Sequence, residues 1–425
     1  MPPIISRFRS FHKIGLLAAV FIFLIVGILC SNTFTTKTLK DDDLFSSPTA
    51  VPLDAPDSNS KFENLHSDND NDNDDHDDDA HAQDVVGLAN STLGFQKILY
   101  LNVPDRYNLD DTITMQSALS GIKPEQFIGV NIKTLKEEGL PPSSRPEPMI
   151  AGVKACYRSH ANMWRKMIDE GWETMLILEA DAVWDINIRQ IFYHFGQGLE
   201  QLMKKRNILE KGEHATENDP YLSKHWDVIQ FGGCYANERR KDVSVQYYDP
   251  YAPSGVHFFG DLIKNNRRVV RWQAGEVCTV SYAISRAGAM KLLLRTAIDM
   301  NEPVDLILAI MIESGGLTSY SVYPVMFDQW QYKSTLGLES KNSDIRGPED
   351  MEGGNNNNKQ DKEETRNLWK GLHETLDVWT SRFPENSRFK KNVLNNLKSY
   401  IFDKKKIFEA EIEKSIEEEN ESNND

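Results

Sequence analysis

Apolar and polar positions alternate along the middle of the chain with two different periods. An uninterrupted apolar run, which is typical of a strand buried on both faces of a sheet, occupies residues 174–178, and further strands are predicted at residues 97–103, 126–132 and 226–231. Stretches with apolar residues at helical spacing lie between them, at residues 110–119, 149–170 and 186–204. Strands that alternate with helices predict an α/β fold with a mostly parallel sheet flanked by helices.

The second half of this region has more strand-like segments. The β-like segments here are residues 243–248, 268–272, 277–284 and 317–323. Ser285 is a good N-cap for a helix that runs through residue 294. Another helix, with proline in its first turn, is predicted over residues 303–312. Because several strands here are divided by loops rather than by helices, we expect this part of the sheet to be mixed.

The N-terminal part of the chain has a different pattern. Residues 14–30 form an apolar run without a charge, and four basic residues precede it: Arg7, Arg9, His12 and Lys13. This charge distribution predicts a single-pass transmembrane signal anchor, with residues 1–13 as a cytosolic tail and the bulk of the chain in the lumen. A cleaved signal peptide is the alternative.

Two polar segments are predicted to flank the folded domain, which we place at residues 94–347. Residues 31–93 are rich in Ser, Asp, Asn and Pro and poor in large apolar residues, which predicts a disordered acidic stem. Residues 348–425 read as a polar linker and a helix-prone charged tail.

Composition limits the classes of partner. The chain has 425 residues and a formal net charge of -16, which argues against nucleic acid because a phosphate backbone attracts basic surfaces. It has four cysteines, Cys30, Cys156, Cys234 and Cys278, too few and too scattered for a disulfide framework. One bridge among the last three is possible.

Two acids follow the predicted central strand 174–178. Side chains two apart in an extended chain project from the same face, so Glu179 and Asp181 are expected to lie together while Ala180 points away. Ligands of open α/β sheets bind at the carboxyl ends of the strands. Paired carboxylates at this position suit a hard divalent cation that also holds phosphate oxygens. The alternative is an acidic loop that caps the next helix.

Several motifs, in order along the chain, together resemble the family 25 glycosyltransferases. The matching segments are residues 100–106 (Tyr-Leu-Asn-Val-Pro-Asp-Arg), 155–160 (Ala-Cys-Tyr-Arg-Ser-His), 176–181 (Leu-Ile-Leu-Glu-Ala-Asp), 226–233 (Trp-Asp-Val-Ile-Gln-Phe-Gly-Gly), 279–285 (Thr-Val-Ser-Tyr-Ala-Ile-Ser) with Gly288 and Ala289, 303–305 (Pro-Val-Asp) and 322–324 (Val-Tyr-Pro). The resemblance covers roughly residues 97–330 and does not extend to the stem or the tail. One departure is Ala180, which stands where the family usually has a second acid.

The resemblance implies a GT-A-like (Rossmann-like) fold and the transfer of a sugar from a nucleotide diphosphate with inversion. The expected donor is a UDP-sugar, most commonly UDP-galactose, and the expected acceptor is a hydroxyl of a glycan or glycoprotein. Mn²⁺ or Mg²⁺ is the expected metal. With the predicted anchor, this implies a type II enzyme of the Golgi or ER membrane whose catalytic domain is lumenal.

Roles for individual residues follow from the same resemblance. Expected metal ligands are Asp181, Glu179 and Asp185. Expected residues of the donor site are Asp105, Arg106, Ser159, His160 and Glu179. A general base must take the proton of the acceptor hydroxyl; the candidates are Asp305, then Asp328, and more weakly Glu276.

Less specific interpretations stand beside these roles. Asp305 suits a helix N-terminus, Arg106 suits a surface ion pair, and Cys156 suits helix packing rather than a zinc pair with His160. Three tryptophans that could stack on a sugar are more often core residues: Trp184, Trp272 and Trp330. Ala180 leaves open a degenerate relative that binds nucleotide sugar or glycan without turnover. A membrane-tethered scaffold that works through its stem and tail is a further alternative.

Overall fold

The structure is a computed structural model that describes residues 90–333, Leu336, 378–382, 389–394, Leu397 and Ile401. The predicted anchor 14–30 and nearly all of the predicted stem lie outside the described residues. Within the described part of the chain, no helix has the length and apolar character needed to cross a membrane.

Strands and helices appear in the predicted alternation. The helices are α1 (Tyr107–Ser120), α2 (Ala151–Asp169), α3 (Ile188–Lys205), α4 (Arg286–Ile298) and α5 (Val304–Glu313). The first strands are β1 (Lys97–Asn102), β2 (Glu125–Ile128), β3 (Thr174–Glu179), β4 (Ala182–Trp184), β5 (Val228–Gln230) and β6 (Ser244–Tyr248). The remaining strands are β7 (His257–Phe258), β8 (Asp261–Leu262), β9 (Arg267–Trp272), β10 (Ser281–Ser285), β11 (Ser319–Tyr323), β12 (Phe327–Tyr332) and β13 (Trp379–Ser381).

The central sheet has eight strands in the order β2-β1-β3-β10-β5-β11-β9-β6. Strand β1 pairs in parallel with β2 and β3, and β5 pairs in parallel with β11, whereas β10 and β9 run antiparallel to their neighbours. Six of the eight strands therefore run in one direction. This confirms the predicted α/β class with a mostly parallel sheet, and β9 and β10 make its second half mixed.

Both faces of this sheet are covered, as the apolar runs predict. Along β3, Leu176 and Leu178 pack into the core with α1 and α3, while Met175 and Ile177 pack into the core with α2, α4 and α5. All six residues of β3 are buried. Alternate side chains thus enter opposite cores, and the carboxyl end of β3 lies in the interior.

Two predicted boundaries are wrong. Leu93, which we placed in the disordered stem, is fully buried in the core, so the folded domain begins a few residues before position 94. Part of the predicted tail is also folded: β13 pairs with β12, and Val393 and Leu394 are core residues. The tail prediction failed there because the apolar positions are few and their partners lie far away along the chain.

Candidate active site

The two acids of the central strand lie at its carboxyl end. The backbone N–H of Glu179 donates to the carbonyl of Val280, and that of Ala180 donates to the carbonyl of Leu101, so this end is fixed between β1 and β10. The side chain of Ala180 is buried in the core that α1 and α3 cover. Glu179 and Asp181 interact with each other electrostatically, which places their carboxyl groups near one another.

Each acid accepts a side-chain hydrogen bond from a described residue. The hydroxyl of Thr279 donates to Glu179 Oε1 at 2.6 Å. The side-chain amide of Gln329 donates to Asp181 Oδ2. The other oxygen of Asp181, Oδ1, is buried and has no hydrogen-bond partner among the described residues. A buried acceptor without a donor is costly, so this oxygen is suited to a ligand.

Asp305 joins this pair. It lies in the first turn of α5, where the backbone N–H of Leu306 donates to Oδ1 at 2.9 Å and that of Cys278 donates to Oδ2 at 3.4 Å. Its charge also acts on Glu179. We call Glu179, Asp181 and Asp305 the acid cluster.

Burial and repulsion shift the protonation of the acid cluster. Burial, followed by the charge of Asp181, raises the pKa of Glu179 well above the ordinary range of a glutamate. Burial also raises the pKa of Asp181, and it raises the pKa of Asp305 to about 6. Acids whose charged form is disfavoured in this way gain from a nearby cation.

Two arginines bring positive charge to the cluster. Arg106 precedes α1, is buried, and interacts electrostatically with Asp181. Arg382 follows β13 and acts on both Glu179 and Asp181. The structure thus brings the predicted residue Arg106 to the acid pair, whereas Asp105 beside it is exposed and accepts a 3.4 Å hydrogen bond from Tyr107.

The donor set fits a divalent cation that is shared with a substrate. The carboxylates of Glu179 and Asp181 are the oxygen ligands that Mn²⁺ and Mg²⁺ accept, and Asp181 Oδ1 is open. Within the described ranges, no group of three or more His, Cys, Asp or Glu side chains could enclose an ion. Such an ion would therefore complete its coordination with phosphate oxygens and water, as Mg²⁺ usually does.

Two predicted acids accept hydrogen bonds from the C-terminal part of the chain. Asp185 Oδ1 accepts from the N–H of Asn187 at 2.9 Å, and Oδ2 accepts from the N–H of Lys391 at 2.7 Å. Asp328 Oδ2 accepts a hydrogen bond from the hydroxyl of Ser381. Asp328 and Gln329 are consecutive in β12, so their side chains project from opposite faces, and the face of Gln329 is the one that reaches Asp181. We therefore assign Asp185 and Asp328 to the fold and leave them out of the metal and base sets.

Ser159 and His160 lie inside the domain. The Ser159 hydroxyl donates to the carbonyl of Ala155 at 2.7 Å and accepts from the N–H of Val130 at 2.8 Å, so it fastens α2 to the loop after β2. His160 is fully buried, and its Nδ1 is hydrogen-bonded to the hydroxyl of Tyr282 at 2.9 Å. Burial lowers the pKa of His160 to about 3. These contacts are within the fold, and the assignment of both residues to the donor site stays a prediction.

The weaker candidates also have partners in the fold. Glu276 forms a buried ion pair with Arg271 at 3.2 Å and accepts from the hydroxyl of Ser321 at 2.6 Å. Trp184 and Trp330 are core residues. Trp272 lies between the guanidinium groups of Arg206 and Arg240, 4.1 and 4.0 Å from its ring centroid. The ring faces of Trp272 are thus covered by protein.

A disulfide lies next to the acid cluster. Cys234 and Cys278 are bonded by a disulfide, and Cys156 is buried among helix residues. The bridge holds the loop before β10, which carries the Cys278 N–H bonded to Asp305 and the Thr279 hydroxyl bonded to Glu179. Sequence reasoning left this pairing open and did not identify Thr279, Gln329 or Arg382. Of these three residues, only Thr279 could have been found from the sequence, because it is the first residue of the 279–285 motif.

Comparison with known proteins finds a family model and several relatives that match this domain. Residues 108–308 match the family model described as glycosyltransferase family 25 (LPS biosynthesis protein). Procollagen galactosyltransferase 2 of Mus musculus is 24% identical over 244 residues, which are 54% of this chain and 32% of that protein. A glycosyltransferase 25 family member of Drosophila melanogaster is 23% identical over 277 residues, 60% of this chain and 39% of the relative.

A third relative, probable inactive glycosyltransferase 25 family member 3 of Bos taurus, is 23% identical over 244 residues, 55% of this chain and 34% of the relative. The chain therefore spans about a third of the length of these curated relatives. The matched stretch contains β3, both of its terminal acids and Asp305. Residues 108–308 of this chain are thus similar to the domain of glycosyltransferase family 25.

Proposed function

We propose that this chain is a metal-assisted glycosyltransferase that moves a sugar, galactose in the first instance, from a UDP-sugar to a hydroxyl of a glycan or glycoprotein, with inversion. The observation that carries the proposal is the acid cluster in a family 25 domain. It gathers three buried carboxyl groups at the carboxyl edge of the sheet, and among the described residues Asp181 Oδ1 has no hydrogen-bond partner. Glu179 is the last residue of β3, and Asp181 follows two residues later. A cluster of this charge is costly to the fold unless a ligand uses it.

The reaction requires one bond to form as another breaks. The oxygen of the acceptor hydroxyl attacks C1 of the donor sugar, and the bond between C1 and the diphosphate oxygen breaks. The electron pair of that bond stays on the diphosphate, and the hydroxyl proton passes to a base. Attack opposite to the leaving group inverts the configuration at C1.

Asp305 is the base in this proposal. A general base works best when its pKa is close to the operating pH. With a pKa raised to about 6 by burial, Asp305 is mostly ionised at neutral pH and is more basic than an exposed aspartate. The N–H groups of Leu306 and Cys278 fix the orientation of its two oxygens.

Glu179 and Asp181 would hold the metal ion. When bound, Mn²⁺ or Mg²⁺ supplies a Lewis acid that neutralises the charge of the diphosphate. Thr279 and Gln329 fix one oxygen of each acid, so the other oxygens point in defined directions.

A lumenal Golgi or ER location and a type II anchor complete the proposal. The disulfide between Cys234 and Cys278 supports an oxidising compartment, because structural disulfides persist there. The apolar run of residues 14–30 and its basic flank support the anchor.

A second candidate is a relative that binds nucleotide sugar without turnover. Ala180, which replaces an acid at the family motif, favours it, and so does the resemblance to a relative named as probably inactive. In this case the acid cluster would bind UDP with metal and would transfer nothing.

The test is a panel of UDP-sugars incubated with the full-length protein and Mn²⁺ or Mg²⁺. We expect one sugar to be transferred or hydrolysed, and we expect Asp181→Asn to lower this activity about 10³-fold or more, since the charge that holds the ion is halved. Asp169→Asn, at an exposed position on α2, is the matched control and is expected to keep full activity.

Other outcomes separate the candidates. Metal-dependent UDP binding without transfer of any sugar would support the non-catalytic relative. Full activity in Asp181→Asn would remove the metal assignment, and absence of both UDP binding and turnover in the wild type would refute the proposal.

A further inference from the structure

The segment around β13 reaches the acid cluster from a distant part of the chain. Strand β13 pairs antiparallel with β12, with Trp330 opposite Ser381 and Tyr332 opposite Trp379. One residue further, the N–H of Arg382 donates to the carbonyl of Gln329 at 2.8 Å. The register therefore continues, and Arg382 lies directly opposite Gln329.

This register sets the direction of the Arg382 side chain. Residues directly opposite each other on paired strands project from the same face. The side chain of Gln329 points to the acid cluster, because its amide donates to Asp181 Oδ2. The guanidinium of Arg382 consequently projects toward the same carboxylates, which agrees with its electrostatic interaction with Glu179 and Asp181.

Two acids that the fold uses hold this segment in place. Asp328 accepts from the hydroxyl of Ser381, the residue before Arg382, and Asp185 accepts from the N–H of Lys391. Between the same regions, the N–H of Ile186 donates to the carbonyl of Lys391 at 3.0 Å. We call residues 378–382 and 389–394 the C-terminal segment; its anchoring to β4, β12 and the start of α3 keeps Arg382 at the site.

The acids beside β3 and a divalent cation leave no net positive charge for an anionic substrate, so other cationic groups are required. Glu179 and Asp181 carry two negative charges when ionised, which a divalent cation would balance. The diphosphate of a nucleotide sugar brings about two more negative charges and gains another as it leaves. Arg106 and Arg382 supply two positive charges beside these acids, which favour the binding of this anion.

We propose that Arg382 binds the diphosphate of the donor, and that the C-terminal segment is thus part of the active site. This inference rests on the proposed glycosyltransferase function. Arg382 lies beyond residues 108–308, where the family model matches. A planar guanidinium can donate two parallel hydrogen bonds to phosphate oxygens.

In the reaction, Arg382 acts on the leaving group. As the bond between C1 and the diphosphate oxygen breaks, its electron pair remains on that oxygen, and the guanidinium stabilises the added charge. The acceptor proton still passes to Asp305. Arg382 exchanges no proton, because an arginine stays protonated throughout.

The test measures binding of two ligands that differ only in their phosphates. The full-length protein and its Arg382→Gln and Arg382→Lys variants are titrated with UDP by calorimetry, and with uridine by ligand-observed NMR, in the presence of Mn²⁺. We expect Arg382→Gln to weaken UDP binding about tenfold or more while uridine binding changes less than about twofold. Arg382→Lys should recover part of the loss, since it keeps the charge but not the paired donors.

Arg286→Gln is the matched control, because Arg286 is a half-exposed arginine that pairs with Glu173 at 3.1 Å on the surface. It should bind UDP as the wild type does. If Arg382→Gln does not fold, Arg382→Lys alone is expected to lose UDP affinity severalfold at unchanged thermal stability.

The outcomes distinguish this inference from the function on which it rests. If the wild type binds UDP and transfers sugar, but Arg382→Gln binds UDP equally well, only the role of Arg382 is refuted. Equal losses for UDP and uridine would also refute it, since they would mean that Arg382 merely supports the fold. If the wild type binds no UDP, both proposals fail.

Discussion

Two sets of buried acids in this domain differ in what the surrounding protein gives them. Asp249 is paired with Arg268 at 2.8 Å, and its other oxygen accepts from the N–H of Tyr251 at 2.9 Å. Arg268 also donates to the carbonyl of Val325. In the acid cluster, by contrast, Glu179 and Asp181 repel each other, and Asp181 Oδ1 is open.

The difference teaches how to separate structural from functional acids. A buried carboxylate with a close cation and a full set of donors has nothing left to offer a ligand. A buried carboxylate that lies beside another one and has an oxygen without a hydrogen-bond donor destabilises the fold unless a cationic ligand binds. Glu276 with Arg271 belongs to the first kind, and the acid cluster belongs to the second.

The largest effect expected from this contrast is on stability. Asp249→Asn leaves the charge of Arg268 buried without its partner, so we expect the free energy of unfolding to fall by about 3–5 kcal/mol. Asp181→Asn removes a charge that repels Glu179 and keeps an oxygen for Gln329, so we expect unchanged or increased stability. Urea unfolding of both variants and the wild type, followed by circular dichroism, measures this difference.

A matched control for this pair is Asp169→Asn on the surface of α2, which should change the free energy of unfolding by less than about 0.5 kcal/mol. If Asp181→Asn destabilised the protein as much as Asp249→Asn, the acid cluster would be a structural network. The division between the two sets of acids would then be wrong.

The sequence predicted the sheet better than it predicted the partners of the acids. Buried runs such as 174–178 are local signals, so the strands and helices of the α/β core could be read from their period. The pairing of β12 with β13 could not, because these strands are short and about fifty residues apart, and Arg382 depends on that pairing. The contacts of Asp185 and Asp328 could not be predicted either, because a sequence shows an acid but not the N–H or hydroxyl that donates to it.

The disulfide offers a test with a smaller expected effect, because the loop that it holds contacts the acid cluster. Its cysteines are 44 residues apart, and a bridge across a loop of that size typically contributes about 2–4 kcal/mol. We expect Cys234→Ser with Cys278→Ser to lose this stability and also to lower transfer activity. The activity falls because the loop that the bridge holds supplies the Cys278 N–H to Asp305 and the Thr279 hydroxyl to Glu179.

Thermal unfolding and sugar transfer, each with and without a reductant, measure these effects for the double variant and the wild type. The wild type should lose stability in the reductant, and the double variant should not respond to it. Cys156→Ala, which removes a buried cysteine outside this bridge, should leave the response of the wild type unchanged. Full activity in the double variant would mean that the loop keeps its place without the bridge.

The smallest expected effect is on the pH dependence of stability, and it concerns His160. Burial disfavours the charged form of His160, just as it disfavours the ionised forms of the acid cluster. Burial lowers the pKa of His160 to about 3 from an ordinary value of 6.5, so the unfolded chain binds a proton there that the folded chain does not. As the pH falls from 6.5 toward 3, the free energy of unfolding should therefore decrease by about 1.4 kcal/mol per pH unit through this residue.

Carboxyl groups titrate in part of the same range, so the comparison is between the wild type and His160→Gln, in urea titrations at pH 7.5, 6.5, 5.5 and 4.5. The variant should be less stable at pH 7.5, because it disturbs the bond to Tyr282, but it should lose less stability on acidification. Parallel pH profiles of the two proteins would mean that the folded state accommodates a protonated His160. Burial would then not disfavour the charged form of His160 as it does the ionised acids of the cluster.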